Sequence, residues 1–256
     1  MSSPTEQPGS GAVAALYPFL SGAPRGGRSD VEPVLAAIRR STVAKVEEIG
    51  ALRQECLTRF GDRLDSCARE LAARFAAGAR LFAFGNGGSS TDAQDLAALF
   101  LSGGGGGRPL PALCLTADVA AVTALANDVS FDVVFARQLA ALARPGDVAV
   151  GLSASGNSAN LVRAFEVAAY QGLLTVGFAG NEGGRMAEMD VLDYLFVVPS
   201  ASVHRIQEAQ TTLYQALWEL AVSAVEAAAA HDLAGRSPGP EEVPVNQPTA
   251  RRRCRG

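Results

Sequence analysis

The sequence predicts an α/β protein, a doubly wound five-stranded parallel sheet preceded by N-terminal helices. Three observations carry this. Five short apolar runs alternate with helical patterns from Ala79 onward, two of those runs lead straight into turns rich in Gly and Ser, and each of those turns opens a helix. Short apolar runs separated by helices are strands covered on both faces.

Residues 1–29 are rich in Gly, Pro and Ser and hold one apolar island, Val13 to Leu20, without a sustained period. This composition predicts a flexible arm whose island could dock on a partner. From Asp30 to Ala77 the pattern is helical, with Val34, Ile38, Val46, Ile49, Leu52, Cys56, Leu57 and Phe60 at intervals that make an apolar stripe. Gly61 and Asp62 predict a break into two helices. Such a stripe ahead of an α/β core fits either packing on another subunit or a helix pair within the chain.

The strands follow. Leu81 to Phe84 leads into the turn Gly85-Asn86-Gly87-Gly88-Ser89-Ser90 and a helix from about Thr91; Leu113 to Leu115 precedes Asp118 and another helix. Asp147 to Leu152 leads into the turn Ser153-Ala154-Ser155-Gly156-Asn157-Ser158, and Leu173 to Phe178 and Tyr194 to Val198 complete the set. A final helix from about Val203 to Ala230 carries Ile206, Leu213, Leu217, Leu220 and Val225. The folded domain is therefore read as 30–230, and 231–256, ending in an arginine cluster, as a disordered tail.

At 48% apolar residues in a chain of 256, the sequence can bury a sizeable core. A net charge of −4 with dispersed arginines argues against direct nucleic-acid binding, which needs a clustered positive field. No apolar run reaches the roughly 18–20 residues of a bilayer span, and no signal segment opens the chain, so a cytoplasmic protein is expected. The four cysteines lack CxxC spacing and are expected to stay thiols, Cys114 as a small buried hydrophobe and Cys254 in the tail.

The two turns fall at strand carboxyl ends, where ligands of open α/β sheets bind. Glycines let backbone approach an anion, serine hydroxyls donate to its oxygens, and a helix N-terminus favours negative charge. A dinucleotide fingerprint fits poorly: Ser90 stands where its third glycine belongs, and no acidic residue ends the second strand. A P-loop fits neither turn, since no Lys-Ser or Lys-Thr follows. Two polar turns suit one small phosphorylated molecule.

At Gly85 to Ser89, Asp92-Ala93-Gln94, Asn127-Asp128, Gly146 to Val148, Ser153 to Asn160, Gly183-Gly184 and Arg205 to Glu208, the chain resembles the sugar isomerase (SIS) domain family in its phosphoheptose isomerase branch. The resemblance covers about Val31 to Val225. It implies a flavodoxin-like fold, usually a homotetramer built partly through N-terminal helices, that binds phosphorylated sugars. By motif position it gives the phosphate to Ser153, Ser155 and Ser158, and the sugar chain to Asn86, Ser89 and Asp118, with Gly87 and Gln207 also in the substrate site.

The departures from that pattern bear on chemistry. Catalytic members carry a histidine and, four residues on, a glutamate in the helix after the first turn, and a glutamine and, eight residues on, a histidine in the last helix. Several bind zinc there. Here those positions are Asp95, Leu99, Gln207 and Gln215, and only the glutamine matches. Moving a proton between adjacent carbons through an enediol needs a base and an acid; Leu99 supplies neither, Gln215 cannot exchange a proton near neutral pH, and one carboxylate with amides is a poor zinc site. No metal and no cofactor are expected. His204, three residues ahead of Gln207, has two roles open to it: an acid/base couple with Asp95 or Asp118, or a cap or ligand hydrogen bond. Glu208, one step around the helix, is expected to face a neighbour or pair with Arg205.

Three functions follow as expectations: a sugar-phosphate-binding protein with its proton machinery replaced; an active isomerase of sedoheptulose 7-phosphate or a related sugar phosphate using His204 and carboxylates; or an oligomeric adaptor that binds a protein partner, as one branch resembling this family does with a replication initiator.

Overall fold

The computed structural model describes residues 31–103 and 108–235. The N-terminal arm and the tail beyond Gly235 lie outside the described residues. The chain divides into two compact units, Met1–Ala51 and Leu52–Gly256.

Helix α1 (Val31–Ala76) runs unbroken through Gly61, contrary to the expected pair of helices. A helical glycine costs only about 1 kcal/mol relative to alanine. Phe60, Leu64, Cys67, Ala68 and Leu71, all buried, supply far more by packing on one face. In the first unit, by contrast, Val31, Val34, Ile38, Val43 and Val46 are each more than half exposed. The stripe is thus buried only from Ile49 onward.

The second unit continues with β1 (Leu81–Gly85), α2 (Gly88–Ser102), β2 (Ala112–Cys114), α3 (Val119–Asp128), a 3-10 turn (Phe131–Val133) and α4 (Val134–Leu142). Then come β3 (Val148–Leu152), α5 (Ala159–Tyr170), β4 (Leu174–Gly180), α6 (Gly184–Ala187), β5 (Tyr194–Val198) and α7 (Val203–Gly235). The five strands are all parallel in the order β2-β1-β3-β4-β5, as the alternating pattern predicts. The chain leaves β1 for β2 on one side and reaches β3 on the other, so strand order reverses between β1 and β3, where Gly85 lies opposite Leu152. That crevice is the ligand position of such sheets.

Helices α4 and α5 pack together over one face, and α2 and α7 together elsewhere on the sheet. Phe84 lies between Phe135 of α4 and Phe165 of α5, with ring centroids 5.4 and 5.2 Å away. Gly151 makes room for this cluster: a Cβ there would stand 2.5 Å from the Phe165 ring. Phe178 stacks on Phe196 at 5.2 Å, and Phe60 of α1 meets Phe196 edge-on at 5.7 Å. Cys114 is buried as expected, with its Sγ 3.1 Å from the Thr116 hydroxyl. Burial pushes the Cys56 thiol up to about 11 and the Cys67 thiol higher still, so both are inert at neutral pH.

The start of β3 is pinned by Asp147. Its buried carboxylate accepts from the backbone N–H of Arg80 (2.8 Å) and of Arg144 (2.9 Å), and from the Arg80 guanidinium (2.7 Å). Burial alone would raise its pKa, but these hydrogen bonds from Arg80 and Arg144 outweigh it and hold the carboxyl below its ordinary value. A group with a depressed folded pKa adds stability that is present above its unfolded pKa and lost as pH falls through the folded one. Asp147→Ala is therefore expected to cost about 3 kcal/mol in urea unfolding at neutral pH. The gap from wild type should narrow on acidification below the carboxylate range.

Candidate functional site

A cavity of about 380 Å³ opens at the carboxyl ends of β1 and β3. Asn86, Gly88 and Ser89 line it from the first turn, Ser153, Ala154, Ser155 and Ser158 from the second, Asn181 from the loop after β4, and Val203, Ile206 and Gln207 from the first turns of α7. The two turns read from the sequence thus meet in one site. Among the described residues, none that lines it carries a charged side chain.

The first turn is shaped by contact with its surroundings. A Cβ on Gly85 would press within 2.5 Å of the Ser89 carbonyl oxygen and 2.9 Å of that of Leu152, so only glycine lets the turn lie across the end of β3. Asn86 and Asn160 exchange amide hydrogen bonds, each 2.9 Å, tying this turn to the first turn of α5. Gly87 has φ 55° and stands at the N-cap of α2; it does not line the cavity.

The second turn carries the hydroxyls. The Gly156 N–H donates to Ser153 Oγ (3.0 Å) and the Asn157 N–H to Ser155 Oγ (3.2 Å), which orients both side chains and leaves their O–H protons free to donate elsewhere. Ser158 is the N-cap of α5, and its side chain makes no cap hydrogen bond. The helix therefore presents unpaired N–H groups and its positive dipole end to the cavity rim. Hydroxyls and a helix N-terminus are groups whose chemistry suits a small anion.

This turn interlocks with the loop after β4. Gly156 has φ +67°, and a Cβ there would overlap the Gly183 carbonyl oxygen. The Arg185 N–H donates to Asn157 Oδ1 (3.0 Å) and the Met186 N–H to the Gly156 carbonyl (3.0 Å). Asn181, at φ 58°, is the sole left-handed non-glycine residue among those described, held by its N–H on the Ser200 carbonyl (3.0 Å). Unusual backbone of this kind concentrates at ligand sites.

Gln207 joins the cavity to one of two α2 carboxylates that α7 meets. Its Nε2 donates to Asp92 Oδ2 (3.2 Å), and two turns further on, the Tyr214 hydroxyl donates to Asp95 Oδ2 (2.7 Å). Burial pushes the Asp92 carboxyl above its ordinary pKa; the Gln207 hydrogen bond opposes this, and the charge of Asp95 adds to it. Burial likewise raises the Tyr214 phenol, so it stays protonated as a donor.

Not every expected residue gathers here. Asp118 caps α3 by accepting from the Ala121 N–H (2.9 Å) and lines a separate, largely apolar cavity with Cys114, Val119 and Arg137. His204 is exposed on the first turn of α7, outside the lining that Val203, Ile206 and Gln207 supply from that turn. Asp95 is exposed, in contact with Tyr214. Glu208 pairs with Arg205, as its spacing suggested. Sequence reasoning gave no role to Asn160, Asn181 or Asp92; of these, Asn160 and Asp92 lay within motifs already singled out, while nothing in the sequence marks Asn181 as left-handed. Among the described residues no three His, Cys, Asp or Glu side chains gather as a metal site, and no described helix is long and apolar enough to cross a membrane.

Fold and site define an open α/β protein with a neutral, donor-rich cavity at the switch point of its sheet. The SIS domain model matches residues 46–180, and the chain belongs to that family. It is 44% identical over 182 residues to the phosphoheptose isomerase of Solidesulfovibrio magneticus, covering 71% of this chain and 88% of that protein. Among solved structures, phosphoheptose isomerase from Neisseria gonorrhoeae superposes with a TM-score of 0.67 at 35% identity, covering 73% of this chain and 99% of that one. The Francisella tularensis enzyme gives a TM-score of 0.66 at 27% identity, covering 71% and 96%.

Because the second turn and the loop after β4 meet backbone to backbone, Gly156→Ala is expected to force them apart. Urea unfolding should show a loss of at least about 2 kcal/mol, and amide exchange should quicken across both loops while β1 and β2 keep their protection.

Proposed function

We propose that this chain binds a sugar phosphate in the cavity at the carboxyl ends of β1 and β3, in the manner of the phosphoheptose isomerase branch. The observation that carries this is the convergence of Ser153, Ser155 and Ser158 with the N-terminus of α5 in one uncharged cavity. These donors hold the phosphate; Asn86, Ser89 and Gln207 meet the sugar. The relatives' names support a sugar phosphate as ligand and weigh against a pure adaptor.

In this reading the usual proton machinery is replaced. Leu99 offers no donor atom, Gln215 is an exposed amide, and Gln207 is already engaged by Asp92, so these positions do not fit zinc. Identity of 44% to a named isomerase supports a second reading, in which the chain turns over sedoheptulose 7-phosphate or a related sugar phosphate. The proton would then pass through carboxylates of α2, Asp95 or Asp92, with His204 moving in from its exposed position. Under either reading, the exposed Val34, Ile38 and Val46 support a homo-oligomer, a tetramer by the resemblance, assembled partly through α1. Light scattering should give a mass above one chain, and Ile38→Glu should lower it.

A thermal-shift titration with sedoheptulose 7-phosphate, run beside a turnover assay with and without added zinc, tests the site. A ligand at 100 times its Kd stabilises by about 2.7 kcal/mol whatever its chemistry. Wild type is expected to rise in Tm, and Ser155→Leu with Ser158→Leu to abolish the rise without unfolding the protein. Turnover that His204→Ala removes would establish the second reading; no stabilisation by this or any other sugar phosphate would sink both.

A further inference from the structure

We infer that Asp92 is a positioning residue that fixes the Gln207 amide so that its carbonyl oxygen meets the ligand, making this wall of the cavity a reader of hydroxyl donors. The inference rests on the sugar-phosphate reading above and narrows its substrate class: a monophosphate whose far end carries hydroxyls, as opposed to a bisphosphate or a phosphorylated sugar acid.

Ionised, Asp92 only accepts, so the amide end of Gln207 that faces it must be the nitrogen, as the 3.2 Å contact from Nε2 to Oδ2 records. An isolated glutamine can turn its amide over at little cost; this one has no such freedom. On its other side stands Gly88, where any Cβ would overlap Nε2 and lie 3.1 Å from Oε1. The amide is confined between a backbone that admits no side chain and a carboxylate that admits no oxygen.

Gln207 lines the cavity and Asp92 does not, so the carboxylate makes no contact of its own with a ligand there and reaches it through the amide and through its charge. With one N–H of Nε2 held by Asp92, Oε1 is the acceptor that Gln207 offers the ligand, and the second N–H is its remaining donor, a pair that suits a hydroxyl, which both donates and accepts. A carbonyl oxygen welcomes a hydroxyl and repels phosphate or carboxylate oxygens, which bring lone pairs and charge. The negative charge of Asp92 and of Asp95, one turn on, reinforces that repulsion. The serine turn is opposite in character, all donors. One wall therefore takes an anion and another refuses one, so a ligand with a single phosphate enters in one orientation.

Calorimetric titrations at mildly alkaline pH with three probes test this: inorganic phosphate, sedoheptulose 7-phosphate and sedoheptulose 1,7-bisphosphate. Wild type should bind the monophosphate at least about tenfold more tightly than either of the others. Asp92→Asn leaves the amide free to turn. It should weaken sedoheptulose 7-phosphate by about tenfold, narrow the preference over the bisphosphate, and change inorganic phosphate less than about twofold. Gln207→Leu should lose as much, and the double variant no more than either alone, because the two residues act as one unit.

Equal loss of inorganic phosphate and sugar phosphate in Asp92→Asn would reduce Asp92 to a structural role and overturn the inference. So would wild type that binds the bisphosphate as tightly as the monophosphate. Wild type that binds none of the three would overturn the sugar-phosphate reading itself. If Asp92→Asn does not fold, the Gln207→Leu titrations and the wild-type preference decide the matter.

Discussion

The site depends on one constraint, the close backbone contact of two glycines where the turn after β3 meets the loop after β4. Gly156 and Gly183 touch through backbone atoms alone, and Gly184 lies as tightly against the Ser155 carbonyl. Hydrogen bonds then lock the contact, from the Arg185 N–H to the Asn157 side chain and from the Met186 N–H to the Gly156 carbonyl. Met186, wholly buried, anchors α6 in the core beneath. Two loops that could have moved separately are one body, and the serine hydroxyls stand on it. Their geometry is therefore set before any ligand arrives, which spares binding the cost of ordering them.

That rigidity matters because none of the described residues that line the cavity carries a positive charge. A lysine or arginine would attract phosphate at long range and tolerate imprecise placement; hydroxyls and N–H groups act only at hydrogen-bond distance and within a narrow angle. The Asn86–Asn160 exchange, which ties the first turn to α5, and the three glycines Gly85, Gly88 and Gly156 all serve this need for close placement.

Much of this was legible in the sequence. Strand runs read at Leu81, Asp147, Leu173 and Tyr194 became parallel strands because their continuous apolar character is what burial on both faces requires. Ser153, Ser155, Ser158, Asn86 and Ser89 converge because both turns end strands that are neighbours in the sheet, and adjacency at the switch point follows from the order of elements. What escaped was whatever long-range packing decides. Gly61 reads as a helix breaker over a short window, but the buried face from Phe60 to Leu71 overrides it. His204 shares a helical turn with Gln207, yet a turn has two sides, and periodicity does not say which of them the cavity takes.

The carboxylates of α2 make the same point in chemical form. Asp92 and Asp95 lie one turn apart, and each meets α7, the first through Gln207 and the second through Tyr214, two turns further along. Tyr214 is almost wholly buried, and a buried phenol needs an acceptor. Asp95 provides it. Two such contacts on one helix pair fix the rotation of α7 about its axis, and that rotation is what brings Ile206 and Gln207 to the cavity while leaving His204 outside. Read singly from a sequence, an aspartate beside a glycine-rich turn suggests proton transfer. Seen with their partners, these two first determine which face of the last helix the ligand meets, and any chemistry at the site has to work on the surface they set.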